Sequence, residues 1–202
     1  MTAANALDVD GIRFTFDDSW SVAKWDDSAW FKNGLYKLNG SLGDRAEGTK
    51  AIDIVGLHRD VPYLFEVKDF RGFARENKDR QVSQLPLEIG LKARDTIAGL
   101  LGLLSSNKGR GGLPEAWVRA AQKPERWVHV LALLAEDEAR PGEAKSKLEV
   151  RANERLRNLE KRLTWLTPKV FIRDPIRHAE RLRQAYGITA ESLAGAGAAR
   201  PR

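Results

Sequence analysis

Two short apolar runs, separated by a turn and each carrying charge inside, constrain this chain more than any other feature. The first is Ala51-Ile52-Asp53-Ile54-Val55. The second is Tyr63-Leu64-Phe65-Glu66-Val67-Lys68. Apolar runs of this length, bounded by polar turn residues at 58–60, predict a β-hairpin with strands over 51–56 and 63–70. Side chains alternate along a strand, so Glu66 and Lys68 share one face while Phe65 and Val67 take the other. With the turn centred on Arg59-Asp60, facing residue numbers sum to 119 and Asp53 lies opposite Glu66. Directly paired Cβ atoms are roughly 4.5–5.5 Å apart. Two carboxylates and an ammonium are thereby expected on one face.

Adjacent carboxylates repel unless a cation lies between them. A hard divalent ion such as Mg²⁺ suits oxygen ligands. Such an ion lowers the pKa of its water and polarises a phosphoryl oxygen. The pattern therefore points to phosphodiester hydrolysis. The plain alternative is a solvated strand face on which Asp53 merely pairs with Lys68, since Glu-x-Lys alone is common.

These same residues resemble the motif of the PD-(D/E)XK nuclease superfamily. That superfamily includes restriction endonucleases, Holliday-junction resolvases and repair nucleases. The resemblance covers about 20 residues in detail, and Ile52 stands where some members carry proline. It implies a restriction endonuclease-like fold. It also implies that Asp53 and Glu66, with the carbonyl of Val67, bind Mg²⁺ (or Mn²⁺ in its place), and that Lys68 positions the attacking water. Members often add an acid from an upstream helix, for which Asp26 and Asp27 are the candidates and Glu47 a weaker one. Some add a glutamine on the following helix. Gln81 and Gln84 occupy that region, with Gln84 preferred. Each of these has an ordinary reading too, as a helix cap, a surface charge or a polar helix entrance.

The rest of the chain reads as an α/β protein. Strands are expected at 12–16, 20–25, 127–134 and 169–172. Helices are expected at 29–38, 83–104, 114–121, 146–163 and 176–186. This order predicts a mixed central sheet flanked by helices. One domain is expected over 1–190, with a loose start at 1–10 and a disordered tail over 191–202. The stripe Leu148, Ala152, Leu156, Leu159 and Leu163 should be the buried side of its helix.

The 202 residues carry a formal charge of +6, which favours a polyanionic partner. Nucleic acid is the expected partner, DNA before RNA. Arg71, Arg75, Lys78 and Arg80 follow the hairpin directly, and Arg151 and Arg155 lie on the helix at 146–163. All six are candidate phosphate contacts. A homodimer is compatible with a nuclease that cuts two strands, although no dimer seam stands out. A protein partner fits a non-catalytic binding module built on the same fold. The absence of cysteine excludes a disulfide framework or zinc–thiolate site. The three histidines, at 58, 129 and 178, lack metal-ligand spacing. The longest apolar stretch, 97–104, is too short to span a bilayer. No secretory signal stands out, so the cytosol is the expected location.

Overall fold

The computed structural model describes residues 5–32, 49–72, 80–106, 111–137 and 145–193. Two tight turns organise its antiparallel strands. Asp10 and Gly11, with φ of 48° and 79°, join β1 (Asn5–Val9) to β2 (Ile12–Phe16). Arg59 and Asp60, with φ of 49° and 64°, join β4 (Ile54–His58) to β5 (Val61–Asp69). Two successive residues at positive φ give the turn whose twist matches that of flanking strands. The second turn fixes the expected register, with Ile54 facing Phe65.

The protein is α/β with two sheets. In the larger, the order is β3 (Trp20–Lys24), β4, β5, β6 (His129–Ala135) and β7 (Val170–Arg173). The β3, β4 and β5 strands run antiparallel, and β5, β6 and β7 run parallel. The smaller sheet has the order β1, β2 and β8 (Ile188–Ser192), all antiparallel. Among the described residues there are four α-helices. They are α1 (Leu85–Ser105), α2 (Leu113–Ala121), α3 (Lys145–Leu163) and α4 (Ala179–Tyr186). A π-helical turn, Arg80–Gln84, leads into α1, and Pro86 falls in the first turn of that helix, where its missing N–H costs nothing.

The large sheet is buried on both faces. One face packs on helices through Val55, Leu64, Val130 and Ala132, against Ile89, Leu100, Trp117 and Leu159. The other packs on the small sheet through Ile54, Phe65, Val67 and Leu131, against Ile12, Phe14 and Phe16. This explains why β6 is apolar and buried from Val130 to Ala135, as a parallel strand covered on both sides must be.

Three expectations need correction. Residues 5–9 form β1 rather than a loose start. Glu191 and Ser192, assigned to a tail, belong to β8 and pair with Arg13 and Ile12, and Leu193 N–H donates to the Gly11 carbonyl. Ala152 is exposed, and its expected place on the buried side of α3 is taken by Arg155. The expected helix at 29–38 is described only at its first turn, and the rest of it lies outside the described residues, as does the tail beyond 193. No helix among the described residues is long and apolar enough to cross a membrane.

Candidate functional site

Strand alternation carries the chemistry to the helix-covered face. Leu64 faces the helices, so Glu66 and Lys68, two and four residues on, face them as well. Asp53 immediately precedes β4 and lies across from Glu66 by continuation of the register. Its position is fixed from several sides. Its Oδ2 accepts from Val67 N–H at 2.6 Å, and its carbonyl accepts from Trp25 N–H at 2.8 Å. Just upstream, Ile52 N–H donates to Thr96 Oγ1 at 3.0 Å and Lys50 N–H to Asp95 Oδ2 at 3.1 Å. Helix α1 thus anchors the backbone on which Asp53 stands.

Glu66 is fully buried. Its Oε1 accepts from Lys92 Nζ at 2.7 Å and pairs with Lys68 Nζ at 2.9 Å. Its Oε2 has no hydrogen-bond partner among the described residues. Burial, followed by the Asp53 charge, pushes the Glu66 carboxyl up to about 7 against the pull of both lysines. Burial draws Lys68 down, but the Glu66 and Asp53 charges and the Glu66 bond together outweigh it and hold the ammonium above the ordinary lysine range.

The two upstream acids separate cleanly. Asp27 is exposed and pairs with Lys24 at 2.6 Å and Lys32 at 2.7 Å, bonds that pull it down to about 2. Asp26 is turned inward. Burial, and then the Asp53 charge, raise its pKa, and its Oδ1 is buried without a partner among the described residues. Asp26 is therefore the acid near the pair. It does not complete a cluster, because among the described residues no three His, Cys, Asp or Glu side chains are grouped to hold a metal. Glu47 lies outside the described residues.

Other candidates fall elsewhere. Gln84 is exposed at the end of the π-helical turn, and among the described residues no hydrogen bond joins it to Asp53, Glu66 or Lys68. Arg71 is engaged by both oxygens of Asp69, at 2.8 and 2.6 Å, and by the Ser192 hydroxyl. Arg155 is buried and pairs with Glu136 at 2.5 Å, which removes it from the candidate phosphate contacts. Arg151 is half-buried on α3. Arg75, Lys78 and the Arg80 side chain lie outside the described residues, as does the Gln81 side chain.

Lys92, which was not among the expected site residues, is central. From the second turn of α1 it reaches Glu66 Oε1 at 2.7 Å and Asp53 Oδ1 at 3.4 Å. The available signal was its spacing, three residues after Ile89 and four before Thr96, both of them buried.

Carboxylate and carbonyl oxygens are the donors that a hard cation takes. Glu66 Oε2 and Asp26 Oδ1 are buried oxygens without hydrogen-bond partners among the described residues. Val67 N–H points toward Asp53, and in a strand the N–H and C=O of one residue face the same edge, so the Val67 carbonyl faces that side as well.

No family model and no solved structure matches the chain. A stretch of 110 residues is 28% identical to a cysteine–tRNA ligase from Neisseria meningitidis serogroup A, covering 45% of this chain and 16% of that protein. So small a share of the ligase carries no activity across to this chain.

Proposed function

We propose that this chain is a divalent-metal-dependent nuclease of the PD-(D/E)XK superfamily, with a restriction endonuclease-like fold, that hydrolyses phosphodiester bonds in DNA. One observation supports this above the others. A fully buried glutamate faces a buried aspartate and keeps one oxygen free of any hydrogen bond among the described residues. An unsatisfied buried carboxylate oxygen is costly unless a ligand uses it. Asp53, Glu66 and the Val67 carbonyl would hold Mg²⁺, or Mn²⁺ in its place. The bound ion would supply a more acidic water and would offset charge on the phosphate.

The protein's own groups do the rest. Asp53 is oriented by Val67 N–H and kept in register by the Arg59-Asp60 turn. Lys68 stays protonated beside Glu66, so it acts as a donor and a fixed positive charge rather than as a proton acceptor. In that form it orients a water, or compensates charge on a phosphate oxygen. The +6 formal charge favours a polyanionic substrate.

A second reading, a non-catalytic binding module, has one observation in its favour. Lys92 and Lys68 already balance the charges of Asp53 and Glu66 without a metal.

The test is a cleavage assay of the wild type and Glu66→Ala on supercoiled plasmid, linear duplex, single-stranded DNA and RNA, with Mg²⁺, Mn²⁺ or EDTA. The proposal expects metal-dependent cutting of DNA by the wild type alone. Cutting of RNA only would move the substrate class. Full activity in folded Glu66→Ala would sink the site assignment.

A further inference from the structure

Lys92 has no part in the chemistry proposed above, yet it is the side chain that links both carboxylates. It is 11% exposed, and its Nζ lies 2.7 Å from Glu66 Oε1 and 3.4 Å from Asp53 Oδ1. Two buried carboxylates facing one another repel strongly where water is excluded. An ammonium between them removes that repulsion. The position matters as much as the charge. Asp53 Oδ2 is taken by Val67 N–H, so the less engaged Asp53 oxygen is the one Lys92 approaches. Mg²⁺ contacts its oxygens at roughly 2.0–2.1 Å. An ion held by Asp53 Oδ1 and by either Glu66 oxygen would crowd the ammonium that lies 3.4 Å from that Oδ1, and the two like charges exclude each other.

We infer that Lys92 is the resident counter-ion of the metal-free carboxylate pair, and that a divalent cation enters by displacing its ammonium. This rests on the metal site of the nuclease reading. It also gives that site an order of events. With both carboxyls ionised, Asp53 and Glu66 carry two negative charges, against the two positive ones of Lys68 and Lys92 beside them. The quartet is neutral without metal and becomes cationic once a divalent ion joins it. A phosphate chain is then attracted to the loaded site and not to the empty one. The flexible four-carbon stem of lysine lets the freed ammonium stay beside the site.

Two measurements test the displacement. In the first, Mn²⁺ binding to the wild type and to Lys92→Met is titrated by calorimetry, and melting is followed with and without Mn²⁺. Removing the competitor should tighten Mn²⁺ binding about ten-fold, with a correspondingly larger rise in melting temperature on metal addition. In the second, Lys92 of the wild type is labelled with an amine-reactive reagent and quantified by mass spectrometry, in EDTA and in Mn²⁺. Labelling should be several-fold faster with metal. Equal or weaker Mn²⁺ binding by Lys92→Met overturns the inference, as does labelling that metal leaves unchanged or slows. If Lys92→Met does not fold, the wild-type labelling decides alone. If neither protein binds Mn²⁺, the metal site falls and the displacement with it. If both bind Mn²⁺ alike, the displacement alone is overturned.

Discussion

Glu66 should make the metal-free protein less stable as pH rises, the reverse of the usual behaviour of a carboxylate. A carboxyl raised from 4.5 to about 7 in the folded state binds its proton more tightly there than in the unfolded chain. Folding is then easiest where Glu66 is neutral in both states, and stability drains away as pH rises past the unfolded value and through the folded one. Integrating between these two values, the Glu66 contribution falls by about 2.5 kcal/mol from pH 5 to pH 8. Glu66→Gln keeps the shape and removes the titration. Urea unfolding of both proteins in EDTA, at half-unit steps across that range, isolates the effect as the difference between them, because other titrating groups cancel. The wild type should lose about 2.5 kcal/mol relative to Glu66→Gln across this window. A difference that stays flat, or that moves in favour of the wild type with rising pH, would show that the two lysines hold Glu66 ionised and that burial does not govern it.

Three further outcomes follow from packing and pairing. A Cβ on Gly56 would stand 3.0 Å from Trp20 Cζ3 and 3.1 Å from Phe65 Cε2, so Gly56→Ala should lower unfolding free energy by about 1–3 kcal/mol in urea titration. Unchanged stability would mean that these rings yield freely. Gly187 ends α4 at φ 65° with its Cβ direction blocked by the Asp17 carboxylate, so Gly187→Ala should cost more than about 1 kcal/mol, read as a lower melting temperature. Arg155→Met leaves Glu136 without its partner and should cost about 2 kcal/mol, while DNA affinity in a binding titration stays the same; a clear loss of affinity would restore Arg155 to the phosphate contacts.

The hairpin was legible because its signals agree. Apolar alternation, turn residues and register all place Asp53 opposite Glu66, and Arg59 and Asp60 take the backbone conformation that such a turn needs. Lys92 was hidden because a lysine on an amphipathic helix ordinarily belongs to the solvated side, and only the fold reveals two carboxylates beneath it. Arg155 is hidden for the same reason. It stands four and eight residues before the buried Leu159 and Leu163, on their side of α3, and its partner Glu136 follows a different element. Asp26 and Asp27 are chemically alike, and what separates them is the pairing of Asp27 with Lys24 and Lys32. Strands β1 and β8, Asn-Ala-Leu-Asp-Val and Ile-Thr-Ala-Glu-Ser, have little apolar alternation of their own. Their state is decided by β2, which lies between them, so tertiary pairing overrides weak local preference.

The small sheet has a consequence for how the protein is made. A ribosome delivers β1 and β2 early and β8 late, and Trp20 must wait 166 residues for the Tyr186 carbonyl that its indole N–H bonds. Until then the aromatic face of Phe14, Phe16 and Phe65 lacks the strand and helix that complete its cover. The same late arrival brings Ser192 to Arg71, and Asp10, from the early hairpin, accepts from Asp69 N–H at 2.7 Å just beyond Lys68. Contributions from the β1–β2 turn and from β8 thus meet at the end of β5. A nascent chain holds Asp53, Glu66, Lys68 and Lys92 well before it holds β8 and the part of the frame that β8 completes.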